Sequence, residues 1–158
     1  MSYFDKSLKE FSNELQNRKM TNHTIAEIFY KIETHGNPRE SYWQLDNYEQ
    51  HLKSDDRVFY IEKNGEFTAF IFYKWIEPEI EITHWAVKYK GCGEGGAAFS
   101  LFLSKIAARA YKVTLECGEW NQIALRLYEA YQFERVSFRP KYYRTGEGAW
   151  ILQRSHNS

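Results

Sequence analysis

The sequence predicts an α/β or α+β domain, and three observations carry that expectation. Apolar residues recur at helical spacing through the N-terminal third, β-branched and aromatic runs follow, and strand and helix signals then alternate to the end of the chain. With 158 residues, 43% hydrophobic and 18% aromatic, the chain can close one sizeable core, which argues for a single domain over 1–158.

Each element has its own signal. Phe4, Leu8, Phe11 and Leu15 predict a helix from Phe4 to Arg18, an extra N-terminal helix within 1–20. Ile25, Ile28, Phe29 and Ile32 predict a second from Thr24 to Thr34. After the break at "HGNPRE", Ser41 and Gln44 make a capping box for a third helix ending near Lys53. "RVFYIEKNGEFTAFIFYKW" reads as a hairpin about Asn64-Gly65, a dipeptide suited to a type I′ turn. Pro78 punctuates, and Glu79 to Val87 alternates Ile80, Ile82, His84 and Ala86 against Glu81, Thr83, Trp85 and Val87. Phe99, Phe102, Leu103, Ile106 and Ala110 mark a further helix and "KVTLEC" a strand. Asn121 can cap a helix carrying Ala124, Leu127, Tyr128 and Tyr131, and "ERVSF" and "AWILQ" close the series.

Charge and cysteine usage narrow the function classes. Lys plus Arg equals Asp plus Glu at 21 each, so no global field draws the chain to nucleic acid or anionic lipid. Arg135, Arg139, Lys141 and Arg144 beside Tyr142 and Tyr143 form only a local basic patch. Two cysteines, Cys92 and Cys117, are too few for a disulfide framework and suit a reducing compartment. The N-terminus has no apolar signal core, and no run approaches the ~18 apolar residues of a membrane span. A cytoplasmic protein is expected. The five histidines show no metal-ligand spacing, so no metal is expected, and His84 reads as a satisfied strand histidine.

The most informative stretch is "YKGCGEGGAAF", where Gly91, Gly93, Gly95 and Gly96 fall between a strand and a helix in a chain with nine glycines. Strand, glycine loop and helix together make an anion cradle. Bare backbone can turn several N–H groups to one point, and the helix start adds its own donors. The P-loop lysine is absent after the last glycine, where Gly96-Ala97 stand instead. A tight strand-to-helix turn remains the structural alternative.

From Val87 onward the pattern resembles motif A of the GNAT acetyltransferases, in which a strand ending in Val is followed by Q/R-x-x-G-x-G/A, here Cys92-Gly93-Glu94-Gly95-Gly96-Ala97. "LECGEWNQIALRLYEAYQF" is similar to the family's second signature. Glu116, Asn121 and Tyr128 keep the spacing of its ribosomal-protein-alanine N-acetyltransferases, as does the Arg-x-x-Tyr-Tyr of "RPKYYRTGEG". The resemblance is strongest over 57–153. It implies the GNAT acyl-CoA N-acyltransferase fold, a mixed central sheet with helices on both faces. It also implies acetyl-CoA as cosubstrate, with its pyrophosphate on the amides of residues 92–97 and its pantetheine arm along Trp85, Ala86 and Val87.

The same resemblance implies roles for single residues. Glu116 would be the general base toward an amine acceptor, Tyr128 the general acid toward the thiolate, and Asn121 a pantetheine contact. Glu81 is the second candidate base, by likeness to histone-type members. Each has a plainer reading: Tyr128 as core, Glu116 as a solvated carboxylate, Asn121 as a helix cap. The acceptor would be a protein N-terminus or a small molecule; the sequence leaves the oligomeric state open, a homodimer included. The alternative is a non-catalytic CoA-binding or regulatory module with the same fold. Cys92 replaces the family's Gln or Arg, and Glu94 sets a like charge beside a pyrophosphate, so both predict weakened CoA binding. Gln132 stands where a helix-ending Gly is usual, which predicts strain if the left-handed region is needed.

Overall fold

The computed structural model describes residues 1–35, 43–143 and 145–155. Ser41, the expected cap of the third helix, lies outside them. Among the described residues, five α-helices and seven strands alternate much as the sequence predicts. The strands form one mixed sheet in the order β1-β2-β3-β4-β5-β7-β6. By contacts the chain divides into two compact units, Met1–Lys74 with His84–Phe99 and Trp75–Thr83 with Ser100–Ser158.

In the first unit, the predicted helix from Phe4 is corrected. Ser2–Ser7 is a strand, β1, and helix α1 begins only at Leu8 and runs to Gln16. Phe4 fits the helical period but is paired across the sheet with Tyr60, their rings stacked at 4.9 Å. Asp5 meets Arg57 at 2.9 Å and the Tyr73 hydroxyl at 2.5 Å. Ser7 ends the strand by capping α1, its hydroxyl accepting from the Glu10 amide at 3.1 Å. Long-range pairing thus overrides a local period shared by chance.

Thr21 caps helix α2 (Asn22–Thr34), and helix α3 spans Leu45–His51, with the Gln44 amide donating to the Asn47 side chain at 2.7 Å. Strands β2 (Arg57–Lys63) and β3 (Glu66–Ile76) form the expected hairpin. Asn64 at φ 52° and Gly65 at φ 77° are the two positive dihedrals a type I′ turn needs. The core is aromatic: Phe29 packs edge-on against Phe70 and Phe72 at 5.0 and 4.9 Å, with Leu8, Phe11, Ile25 and Tyr48 buried around them.

Strand β4 (Glu79–Val87) alternates as predicted, with Ile80, Ile82 and Ala86 buried and Glu81 exposed. Helix α4 (Glu94–Lys105) starts well before the predicted Phe99 and is followed by a 3₁₀ turn at Ala107–Arg109. Gly95 and Gly96 are therefore helical, a state glycine disfavours and apolar periodicity cannot register. Trp85 packs on Phe99 of α4 at 5.2 Å, whereas Ala86 joins the cluster under α1, α2 and α3, so helices cover both faces of β4.

In the second unit, β4 runs parallel to β5 (Lys112–Gly118) through Glu79↔Lys112, Ile80↔Val113 and Glu81↔Thr114. Strand β7 (Ala149–Ser155) pairs antiparallel with β5 on one edge and with β6 (Glu134–Arg139) on the other. Helix α5 (Gln122–Ala130) ends with Gln132 at φ 71°. The Gln132 amide bonds the Glu129 carbonyl and the Phe133 amide the Tyr128 carbonyl, each at 3.0 Å. The Tyr128 and Phe133 rings lie 6.0 Å apart, completing a Schellman ending with its apolar contact. The expected strain is therefore present. Gln132→Gly should raise unfolding stability by about 1 kcal/mol, read as a higher midpoint in denaturant. An unchanged midpoint would show the side chain compensates.

Candidate active site

The glycine stretch leaves β4 with Gly91 at φ 79° and Gly93 at φ 84°, conformations that disfavour any residue with a Cβ. No atom lies within 4 Å of where a Cβ would stand at either, so these glycines serve backbone direction and leave open space. The first helical bond of α4 runs from the Ala97 amide to the Gly93 carbonyl at 3.1 Å. The amides of Glu94 and Gly95 precede it and lie at the positive end of the helix dipole. A Cβ at Gly95 would touch Trp85 and Val87 side chains at 3.9 Å, so the cradle is floored by β4. Ala86 and Val87 lie beyond the last residue of β4 paired with β5. This is a backbone that suits a phosphate group and an extended arm.

Side chains secure the loop. The Lys90 ammonium donates to the carbonyls of Ile32 and His35 at 3.3 Å and of Val87 at 2.9 Å, tying the end of α2 to the exit of β4. Lys88 pairs with Glu66, which also accepts from the Tyr89 hydroxyl at 2.9 Å. Cys92 is exposed and its thiol donates to the Tyr89 carbonyl at 3.3 Å, a turn contact rather than the basic group the family motif carries.

Glu94 differs from expectation. Its carboxylate is met by Lys63 of the hairpin at 2.8 Å, with side-chain exposures of 20% and 40%. The sequence offered no signal for this, because 31 positions separate the partners. The Lys63 ammonium thus offsets the Glu94 charge that the sequence set beside the loop. Lys63→Ala should weaken CoA binding by about 1 kcal/mol or less at this partly screened site. Glu94→Gln should tighten it by a similar amount, and the double substitution should return near wild type, all by calorimetry. Equal affinities throughout would place this pair away from the ligand.

The second unit holds the other predicted residues. Glu116 stands on β5 opposite Ile151 of β7, and its carboxylate pairs with Arg139 of β6 at 2.9 Å. Arg139 also lies over the Tyr142 ring at 5.5 Å. The Tyr142 phenol is held above its ordinary range by desolvation, with the Glu116 charge and hydrogen bond adding to it. Glu116 is thus an anchored carboxylate rather than a freely solvated one. Arg139 and Tyr142, singled out in the sequence only as a basic patch and a family segment, are its partners. Thr114 and Glu116 share one face of β5, and Glu81 is exposed opposite Thr114.

Asn121 caps α5, its side-chain oxygen accepting from the Ala124 amide at 3.1 Å. Tyr128 is 6% exposed, so it is core as well as candidate acid. Cys117 is buried and its thiol is pushed up to about 12 by desolvation, unsuited to nucleophilic work. Among the described residues no group of His, Cys, Asp and Glu could hold a metal ion, and no helix is long and apolar enough to cross a membrane.

No curated protein matches the chain in sequence. Solved structures do match it in fold. The ribosomal-protein-S18-alanine N-acetyltransferase from Escherichia coli superposes with a TM-score of 0.73 at 21% identity, covering 98% of this chain and 94% of that one. Ard1 from Thermoplasma volcanium gives 0.67 at 21% identity, covering 98% of each. A GNAT family acetyltransferase from Elizabethkingia anophelis with acetyl-CoA bound gives 0.59 at 21% identity, over 70% of this chain and 82% of that one. The sequence pattern of the Acetyltransferase (GNAT) family matches residues 22–133, which span the glycine cradle, Glu116, Asn121 and Tyr128. The chain therefore belongs to the GNAT family of acetyltransferases, whose acetyl donor is acetyl-CoA.

Proposed function

We propose that this acetyltransferase acts on a primary amine, a protein N-terminus or a small molecule, by direct transfer from acetyl-CoA. The carrying observation is the cradle: two positive-φ glycines aim the chain into a helix whose first amides stand over Trp85 and Val87. In this reading residues 92–97 hold the pyrophosphate and Trp85, Ala86 and Val87 pair with the pantetheine arm, with Asn121 assisting.

Glu116 takes a proton from the acceptor nitrogen and Tyr128 gives one to the departing thiolate. The anchoring of Glu116 by Arg139 supports the first role, because a base must be held in place to act. The likeness to an alanine N-acetyltransferase supports, at the level of fold, an α-amine as acceptor. Glu81 remains the second candidate base.

The test is release of free thiol from acetyl-CoA in the presence of peptide N-termini and small amines, with calorimetry of CoA binding alongside. Amine-dependent release supports the enzyme. CoA binding with no release for any amine would support the non-catalytic module instead.

A further inference from the structure

The apolar residues of α4 are large at Phe99, Phe102 and Leu103, and the chain that follows turns to alanine at Ala107, Ala108 and Ala110. Ala107 and Ala110 are buried, yet each fills its place with a single methyl group. A cavity of about 330 Å³ is left against Leu103, Ala107, Ala110 and Val113. Exposed Ser100 and Ala108 and half-buried Tyr131 and Arg154 stand at its rim. All of these residues belong to the second unit, and the volume falls at the small end of the range for small-molecule sites, about 300–1,000 Å³.

One charged side chain stands in this lining, and it has no partner. Arg154 of β7 pairs across the sheet with Val113 of β5, so its side chain leaves the same face as buried Val113 and Leu152. Among the described residues no carboxylate lies within ion-pair distance of its guanidinium, and no carbonyl or hydroxyl accepts from it. Glu79, Glu129 and Glu116 of the same unit are held by Lys112, Arg135 and Arg139 instead. The segment that supplies most of the wall, Ser100 to Val113, carries Lys105, Arg109 and Lys112 and no acid, so the local field favours an anion.

We propose that this cavity binds a small monocarboxylate with a short apolar body, the carboxylate on Arg154 and the hydrocarbon against Leu103, Ala107 and Val113. The guanidinium fork matches a carboxylate through two parallel N–H···O bonds, and one positive charge in the lining balances one negative charge on the ligand. The buried wall is hydrocarbon and offers nothing to a second polar group, so inorganic phosphate would leave most of its oxygens without partners. An α-amino acid of the same shape brings an ammonium beside Arg154, with no carboxylate in the lining to meet it. None of these residues is among those assigned to acetyl-CoA or to proton transfer, so the site stands independently of the amine reading.

The test is an NMR titration of the intact chain with 4-methylpentanoate, following the methyl signals of Leu103, Ala107 and Val113. Saturable shifts at these methyls are expected, with a Kd of about 1 mM or below for so small a ligand. Leucine adds an α-ammonium to the same skeleton and 4-methylpentanamide removes the charge, and each should bind at least about fivefold more weakly. Inorganic phosphate should leave the methyls unmoved. Arg154→Gln should weaken 4-methylpentanoate by about tenfold or more, the scale of a hydrogen bond to a charged group. Ala108→Phe, at an exposed position of the rim, should block it while the fold melts as wild type does. The comparison of ligands on the wild-type chain needs no variant to fold. Equal affinity for leucine or the amide, methyl shifts with phosphate, undiminished binding by Arg154→Gln, or no saturable shift at these methyls would each overturn the site.

Discussion

Glu116→Gln should lower turnover by roughly 10²- to 10⁴-fold while acetyl-CoA affinity stays nearly unchanged, the range for a positioned general base. The amide keeps the shape and an oxygen that can still accept from Arg139, which pairs with the native carboxylate at 2.9 Å. What it loses is the capacity to take a proton. Glu81→Gln should matter far less. Steady-state rates across pH with one identified amine, beside calorimetry of CoA, check both. A crippling Glu81→Gln with a mild Glu116→Gln would move the base to β4. Tyr128→Phe should also slow turnover. Its deficit should shrink when an activated thioester replaces acetyl-CoA, because a less basic thiolate needs less help in leaving.

Gly95→Val should weaken CoA binding by 100-fold or more, on the order of 2.7 kcal/mol. A single Cβ at Gly95 would rest at 3.9 Å from Trp85 and Val87, ordinary contact, so Gly95→Ala should fold normally. The added methyls of valine must spread beside the Gly95 amide, where the phosphate is proposed to approach. Cys92→Ser should leave affinity nearly intact, since a hydroxyl can replace the thiol's bond to the Tyr89 carbonyl. Calorimetry on both variants, with thermal unfolding as a control, decides it. The reverse order would mean that side chains, not backbone amides, hold the cofactor.

The parts legible in the sequence share a physical character: their determinants are close in the chain. The Asn64-Gly65 turn, the alternation of β4 and the Asn121 cap each depend on residues within a few positions of one another. So did the cradle, whose glycines announced a backbone need no other residue meets as well. Where local evidence was ambiguous it misled. Phe4 fits a helix with Leu8 and Phe11 yet belongs to a strand, because Tyr60 and Arg57 reward the extended form of its segment. Gly95 and Gly96 hid the first turn of α4 for the opposite reason, having no side chains to show a period.

By itself, then, the sequence determined the family and the glycine turn that leads from β4 into α4, since spacing along one strand or helix is a local quantity, while it offered Glu116 and Tyr128 only as candidates through the family resemblance. Only the tertiary structure decided which charges meet. Lys63 reaches Glu94, Arg139 reaches Glu116, and Glu33 with Tyr48 reaches His84. Such pairs bring together distant positions through sheet register and helix packing, and no local pattern encodes them. Whether the carboxylate that opens α4 or the one on β5 stands alone or beside a cation follows from those meetings alone.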